Sequence, residues 1–282
     1  MRNLCLVIAY DGTDFLGWQR QPQAITIQGT LEAAIGKIIN EKVKLIGSGR
    51  TDAGVHALGQ VANFSCLNSI PCASLIKALN AALPPTIRIR EAGEAPRTFH
   101  SRHSAQAKTY VYRILQSPVA LPFISRYVHH YPYRLDLLSM AKAARLLEGE
   151  HDFASFAAST DAGDNRANGG AVRTIYSSRI IQRPRSSMLV YRVRGTGFLR
   201  YMVRNLVGTL IEVGRGRVQQ DDMLRILKAR DRRLAGPTAP AQGLCLMNVE
   251  YEAGAGLVLA RGRPQGSPLP YPAAGPESSI GE

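Results

Sequence analysis

The sequence lacks any apolar run long enough to cross a membrane. No stretch approaches the ~18 consecutive apolar residues that a membrane-spanning helix needs. The apolar run near the N-terminus, Leu4 to Tyr10, covers about seven residues, too few for the apolar core and cleavage site of a signal peptide. We therefore expect a cytoplasmic protein that has no membrane partner.

Cysteine is also scarce, and its spacing excludes two common uses. None of the four cysteines forms a C-x-x-C pair, and three lie in apolar runs, which favours buried thiols in a reducing compartment over a zinc site or a disulfide framework. The four are Cys5, Cys66, Cys72 and Cys245. His100 and His103 lie three residues apart, but no third ligand with suitable spacing accompanies them, so we expect no metal.

Acidic residues are few relative to basic ones. The chain has 21 Asp and Glu against 35 Lys and Arg, which gives a net charge of +14. Such an excess indicates a polyanionic partner, most often nucleic acid, although a basic surface that only maintains solubility is the alternative. At 282 residues, of which 45% are hydrophobic, the chain is long enough for one large domain or two smaller ones.

Glycines are concentrated between two apolar runs that predict short strands. Residues 46–61 read I-G-S-G-R-T-D-A-G-V-H-A-L-G-Q-V. A glycine-rich turn between buried strands can place a side chain at the edge of a sheet, which makes Asp52 the best-placed carboxylate of the chain. Arg50, two residues earlier, would favour its ionised form. The alternative is a simple turn in which Asp52 binds only the backbone of its own loop.

The N-terminal half predicts an alternation of strands and helices. Thr26 is a typical N-cap for a helix with apolar residues at helical spacing, and Pro71 can begin a second helix. With the flanking strands, the order is strand, helix, strand, strand, helix, strand, which is typical of a ferredoxin-like split β-α-β unit. Phe15 and Trp18 lie in the loop after the first strand, where they either pack on the core or stack on nucleotides.

The C-terminal half repeats this order with one additional helix. Residues 108–114, K-T-Y-V-Y-R-I, alternate like a strand, and Asp136 is a typical N-cap. A helix is predicted from Gly197 onward, with Arg200 and Arg204 on one face. On spacing alone, that face is either a solvated basic surface or a functional one.

Three further segments complete the chain. His151 and Asp152 adjoin no nucleophile, so a structural role is favoured over acid–base chemistry. Residues 159–171 have no periodicity and predict a mobile loop. The predicted domains are 1–103 and 104–253, followed by a disordered tail, 254–282, rich in Gly, Pro, Ser and Ala.

Several motifs together resemble the TruA family of tRNA pseudouridine synthases. The likeness spans about residues 3–252. Its most specific elements are G-R-T-D-A-G-V-H at 49–56, K-T-Y-x-Y-R at 108–113, F-x-x-x-M-V-R-N at 198–205 and P-A-x-G-L-x-L at 240–246. An eight-residue match around Asp52 is far more specific than a glycine pattern alone.

This resemblance implies a fold and an activity. The fold would be α+β, the pseudouridine synthase fold, with two ferredoxin-like α/β halves that share an antiparallel sheet and a basic cleft between them. The activity would be the isomerisation of uridine to pseudouridine at positions 38–40 in the anticodon stem-loop of tRNA. The family acts as a homodimer and needs no metal or cofactor.

The resemblance also assigns roles to four residues of this sequence. Asp52 would be the catalytic nucleophile, attacking either the sugar or the uracil ring. Tyr110 would stack on the target base, and Arg204 would pair with Asp52 and keep it ionised. Arg50 would fill the space that the flipped base leaves in the stem.

Two rival functions come from other classes. One is a non-catalytic RNA-binding protein that uses the same basic surface. The other is a metal-dependent phosphoesterase with Asp52 as a ligand, for which His56 is the only other candidate ligand close in sequence.

Overall fold

The chain folds into two compact units, each of which mixes helices with strands. The computed structural model describes residues 1–158, 170–182, 186–252 and 258–261. The first unit comprises Met1–Gln106 and the described residues after Cys245, and the second comprises Ala107–Cys245. The predicted α+β class is confirmed, whereas the basic cleft between the halves stays a prediction.

The strands and helices are numbered along the chain. The strands are β1 Arg2–Tyr10, β2 Ile46–Gly47, β3 His56–Cys66, β4 Ile87–Ala95, β5 Ala105–Leu115, β6 His129–His130, β7 Gly149–Asp152, β8 Val172–Gln182, β9 Met188–Gly195, β10 Leu244–Tyr251 and β11 Val258–Arg261. The helices are α1 Ile27–Ile39, α2 Cys72–Ala82, α3 Pro122–Ser125, α4 Leu137–Arg145, α5 Met202–Gly214 and α6 Asp222–Ala229.

The first unit has the predicted split β-α-β arrangement. β1 pairs with β3 and β4, antiparallel to both, and not with β2, the next strand along the chain. Helix α1 begins after Thr26, whose side chain accepts a hydrogen bond from the Gly29 N–H, and α2 begins after Pro71. Trp18 and Phe15 are buried, which confirms that they pack on the core.

The last described strands extend the first unit. β10 lies beside β3, so the chain returns to this unit after Cys245, although sequence analysis assigned 104–253 to one domain. β11 pairs with β4 inside the segment predicted to be disordered, because an edge strand offers unpaired backbone groups to a further strand. The rest of that tail, 254–257 and 262–282, lies outside the described residues.

The second unit is built on the antiparallel order β5, β9, β8, β7. Helix α4 is capped as predicted, because the Asp136 side chain accepts a hydrogen bond from the Ser139 N–H. β8 and β9 pair as antiparallel neighbours. Residues 183–185 between them lie outside the described residues, as do residues 159–169 of the predicted mobile loop.

Helix α5 begins later than the sequence predicts. Tyr201 adopts a left-handed backbone conformation, with φ of 62°, and the helix starts at Met202. A helix cannot pass through a left-handed residue, so Arg200 precedes α5 and does not share a helical face with Arg204.

Within the described residues, no helix combines the length and the apolar character that crossing a lipid bilayer requires.

Candidate active site

Asp52 occupies the first position of a tight turn that joins β2 to β3. The Val55 N–H donates to the Asp52 carbonyl at 3.1 Å, and Gly54 has a φ of 76°. A positive φ at the third residue defines the type II pattern, which explains the order Asp-Ala-Gly. Asp52 is half-buried, and Arg50, on the same loop, is exposed. The turn thus holds the carboxylate at the surface of the first unit.

Buried hydrogen bonds fix the chain just before Asp52. The Thr51 hydroxyl lies 2.8 Å from the Tyr10 hydroxyl, and Gln60 Nε2 donates to the Gly49 carbonyl at 2.9 Å. Gln60 Oε1 accepts a hydrogen bond from the Ser48 hydroxyl at 2.7 Å. Since Ser48 and Gln60 are both 0% exposed, water does not compete for these bonds.

The loop after β1 packs closely against the Asp52 loop. The Trp18 N–H donates to the Thr51 carbonyl at 3.0 Å. A side chain at Gly12 would collide with the Val55 carbonyl, so only glycine allows this approach of the two backbones. The segment Tyr10-Asp11-Gly12 at the end of β1 therefore supports the loop that carries Asp52.

His56, at the end of the motif, is buried at the start of β3. Its Nδ1 accepts a hydrogen bond from the Gly12 N–H at 3.1 Å and lies 3.2 Å from Asp11 Oδ1. This histidine therefore ties the C-terminal side of the Asp52 loop to the chain after β1.

Tyr110 lies in the middle of β5 in the second unit. Its ring is 7% exposed and meets the ring of Phe198 edge-on, with a centroid distance of 5.1 Å. Tyr112, two residues on, is fully buried and donates to the Pro240 carbonyl at 2.8 Å. Burial raises the pKa of Tyr112 well above its usual value, so it stays neutral. Tyr112 is thus a packing residue that fixes β5.

Arg204 is half-buried in the first turn of α5 and is held by the backbone. Its Nε donates to the Ala239 carbonyl at 2.8 Å, and its own carbonyl accepts a hydrogen bond from the Ala239 N–H at 3.1 Å. The guanidinium carbons of Arg204 and Arg200 lie 5.1 Å and 4.8 Å from the centroid of the Tyr201 ring. The Tyr201 ring is therefore in contact with two cations.

Asn205 anchors the same turn of α5 from inside the unit. It is 0% exposed and donates to the Phe156 carbonyl at 2.8 Å. Its Oδ1 accepts hydrogen bonds from Arg232 and from Thr238, at 3.1 Å and 2.6 Å. The M-V-R-N motif thus contains one arginine held in a fixed orientation and one asparagine that fixes the helix. Sequence reasoning missed Asn205, although a polar residue among apolar helix positions is a signal for it.

The four predicted site residues are divided between the two units. The first carries Asp52 and Arg50 on one loop, and the second carries Tyr110 on β5 and Arg204 on α5. The sequence motif at 198–205 also supplies Phe198 against the Tyr110 ring.

Two histidines outside the G-R-T-D-A-G-V-H motif, His151 and His100, form hydrogen bonds with the backbone. His151 bonds to the Glu148 carbonyl at 2.9 Å, and Asp152 pairs with Arg230 at 2.9 Å, as expected for a structural segment. His100 Nδ1 accepts hydrogen bonds from two backbone N–H groups of its own turn. Among the described residues, no group of three or more His, Cys, Asp or Glu side chains is placed to hold a metal ion.

Comparison with known proteins decides the family. A family model described as tRNA pseudouridine synthase matches residues 6–104 and 143–252. The chain belongs to this family. The resemblance drawn from the motifs is thereby confirmed, and with it the pseudouridine synthase fold and an isomerase that converts uridine to pseudouridine.

Similar proteins cover nearly the whole chain. A protein of Solibacter usitatus named tRNA pseudouridine synthase A is 53% identical over 251 residues, which is 89% of this chain and 100% of the relative. A protein of an Exiguobacterium species with the same name is 44% identical over 252 residues, 89% of this chain and 99% of the relative. A solved Cbf5-Nop10-Gar1 complex shares 14% identity over 86% of this chain and 49% of that one, and its TM-score of 0.33 is too low to support an inference.

Proposed function

We propose that this chain converts uridine to pseudouridine at positions 38–40 of the anticodon stem-loop of tRNA, with Asp52 as the nucleophile. The observation that carries the proposal is the geometry of Asp52, a half-buried carboxylate on a tight turn within G-R-T-D-A-G-V-H, in a chain of the tRNA pseudouridine synthase family.

The reaction detaches a base and rejoins it through carbon. The target uridine must first leave its stack, because its reacting atoms are inaccessible inside a helix. The bond between N1 and C1′ then breaks and a bond between C1′ and C5 forms. The hydrogen on C5 is released as a proton, and N1 takes up a proton. Asp52 attacks either the sugar or the uracil ring, and both routes need the same ionised carboxylate.

Three further residues serve this step. Tyr110 stacks on the flipped base and accepts the proton from C5, Arg204 pairs with Asp52 and keeps it ionised, and Arg50 fills the gap in the stem. The contact of Tyr110 with Phe198 and the hydrogen bond of Arg204 to Ala239 support these roles, since both restrict the motion of the side chain. The exposure of Arg50 suits a residue that enters RNA.

The reaction takes place in the cytoplasm without metal or cofactor, and tRNA is bound mainly through its phosphates. The net charge of +14 supports phosphate binding. Double-stranded RNA offers side chains little base information, so the shape of tRNA supplies the specificity.

The proposed assembly is a homodimer. Three apolar side chains around α3 are strongly exposed: Val119 at 67%, Leu121 at 60% and Phe123 at 86%. Contiguous exposed apolar residues of this kind are typical of protein interfaces. We expect a dimer in sedimentation velocity at micromolar concentration and a monomer for Phe123→Asp. Leu67→Asp, which alters an exposed apolar side chain of the first unit, should leave the dimer intact. A monomeric wild type would contradict the assembly.

Mapping the modified positions tests the proposed substrate. An unmodified tRNA transcript with uridines at 38, 39 and 40 is incubated with the protein, and pseudouridines are located by carbodiimide labelling and primer extension. We expect stops at these positions and none in a transcript with cytidines there. Pseudouridine at other positions only would overturn the assignment to the anticodon stem-loop, and its complete absence would overturn the activity.

A further inference from the structure

A buried polar network lies directly beneath the loop that carries Asp52. Its members are all at most 7% exposed, although they are polar, and come from three separate segments. They are Tyr10 on β1, Gln60 on β3, and Ser48 and Thr51 on the loop.

The hydrogen bonds of this network converge on the four residues before Asp52. Gln60 binds the Ser48 hydroxyl at 2.7 Å and the Gly49 carbonyl at 2.9 Å. Tyr10 binds Thr51, the residue next to Asp52, at 2.8 Å, and its hydroxyl lies 3.5 Å from Gln60 Nε2. The two strands therefore hold the loop through side chains, independently of the turn at 52–55.

Such a network is costly to bury unless every member is satisfied, and a satisfied network fixes one geometry. Packing alone does not require it, because an apolar residue at position 60 would fill β3 without a desolvation cost. Thr51 is bound through its hydroxyl to Tyr10 and through its carbonyl to the Trp18 N–H. These bonds fix the backbone next to Asp52 and so restrict the orientation of its side chain. A displacement of the nucleophile by about 1 Å can lower the reaction rate strongly.

We propose that Tyr10, Thr51 and Gln60 are positioning residues, which set the orientation of the Asp52 carboxylate without touching the substrate. This inference rests on the proposed function. The hydroxyl pair of Tyr10 and Thr51 is its central element, because it is the side-chain bond of the network nearest to the nucleophile in sequence.

The second unit offers a matched control. The Tyr191 hydroxyl lies 3.0 Å from the Ser178 hydroxyl, both residues are buried, and the pair also links two segments of a sheet. Tyr191→Phe therefore removes the same group from the same kind of bond, in a hydroxyl pair between β8 and β9 that does not involve the Asp52 loop. Tyr10→Phe and Tyr191→Phe should cost similar stability.

The experiment measures turnover by tritium release from tRNA labelled at uracil C5, together with tRNA affinity and thermal unfolding. We expect Tyr10→Phe and Thr51→Val each to lower kcat by about tenfold, with KM and tRNA affinity changed by less than about twofold. Thr51→Ser keeps the hydroxyl and should restore kcat to near wild type. Tyr191→Phe should leave kcat unchanged.

The double variant Tyr10→Phe with Thr51→Val adds an independent check. Each single change leaves one of the two hydroxyls without the bond between Tyr10 and Thr51, whereas the double change removes both hydroxyls. Its kcat should therefore be no lower than that of the slower single variant.

The outcomes separate this inference from the proposed function. If wild type releases tritium and Tyr10→Phe keeps its kcat while losing as much stability as Tyr191→Phe, the network is packing only and the inference is wrong. The same holds if Thr51→Ser is as slow as Thr51→Val. If wild type releases no tritium, the proposed function fails, and the positioning role fails with it.

Discussion

Asp52 is held by the tight turn that follows it and by the hydrogen bond between Tyr10 and Thr51 that precedes it. The Asp-Ala-Gly order predicts the turn, because a glycine two residues after the aspartate allows the positive φ that the structure contains. The bond between Tyr10 and Thr51 is not predictable in this way. It joins residues 41 positions apart and depends on a register shift between Ile8 and Tyr10 where β1 pairs with β3.

The first prediction at the scale of single residues concerns Arg204, the proposed partner of Asp52. Arg204→Ala should lower turnover by more than about tenfold, because Asp52 would lose the charge that keeps it ionised. Stability should change little, since the losses include only a half-buried hydrogen bond to Ala239 and a contact with the Tyr201 ring. Steady-state tritium release and thermal unfolding measure the two effects.

Arg200→Ala is the matched control for this prediction. Arg200 is exposed and contacts the same Tyr201 ring, so its loss removes a similar cation without affecting the proposed partner of Asp52. We expect its kcat to stay near wild type. A near-wild-type kcat for Arg204→Ala would show that Arg204 is not the partner of Asp52.

At the scale of elements, helix starts were predicted well where a capping side chain sets them. Thr26 and Asp136 both cap the helices that the sequence assigned to them. The predicted start of α5 was wrong. The segment F-L-R-Y-M-V has helical spacing, and nothing in it indicates that Tyr201 adopts a left-handed conformation. In the structure, the Tyr201 ring contacts the guanidinium groups of Arg200 and Arg204, which helical spacing alone does not predict.

The Asp136 cap predicts a pH-dependent stability. Hydrogen bonds from the Ser139 side chain and backbone lower the pKa of Asp136 below its usual value. The ionised carboxylate therefore stabilises the folded state above the unfolded-state pKa of ~3.9, and this contribution is lost as pH falls through the folded-state pKa. Asp136→Ala should cost about 1 kcal/mol at pH 7 and progressively less below about pH 4.

Asp221→Ala is the control for this effect. Asp221 also precedes a helix, α6, but its side chain makes no capping hydrogen bond. Urea unfolding at pH 7 and at acidic pH should show a smaller cost for this variant. An equal cost for both variants at pH 7, or a cost for Asp136→Ala that does not fall with pH, would contradict the capping role.

At the scale of the whole molecule, the order of elements predicted the α+β class, but not the return of the chain to the first unit. β10 follows α6 directly in sequence, and only its pairing beside β3 assigns most of it to the first unit. Such pairing depends on residues almost two hundred positions apart, which no local pattern encodes. The net charge, unlike the strand pairing, can be predicted from the sequence, because it follows from composition alone.

The net charge of +14 predicts that tRNA affinity depends strongly on salt. Each phosphate contact made by Lys or Arg releases counterions, so affinity should fall by at least about tenfold between roughly 50 and 200 mM salt. Filter binding or fluorescence anisotropy with unmodified tRNA measures the slope. A flat dependence over this range would show that the basic excess does not bind the phosphates.

The most direct test of the account is tritium release from tRNA labelled at uracil C5, with wild type and Asp52→Ala. Asp221→Ala serves as a control for the loss of an exposed aspartate. We expect release by wild type and by Asp221→Ala, and none by Asp52→Ala, which should still bind tRNA. Release by both wild type and Asp52→Ala would contradict the role of Asp52. No release by any of the three, with tight tRNA binding, would contradict the activity and leave an RNA-binding protein.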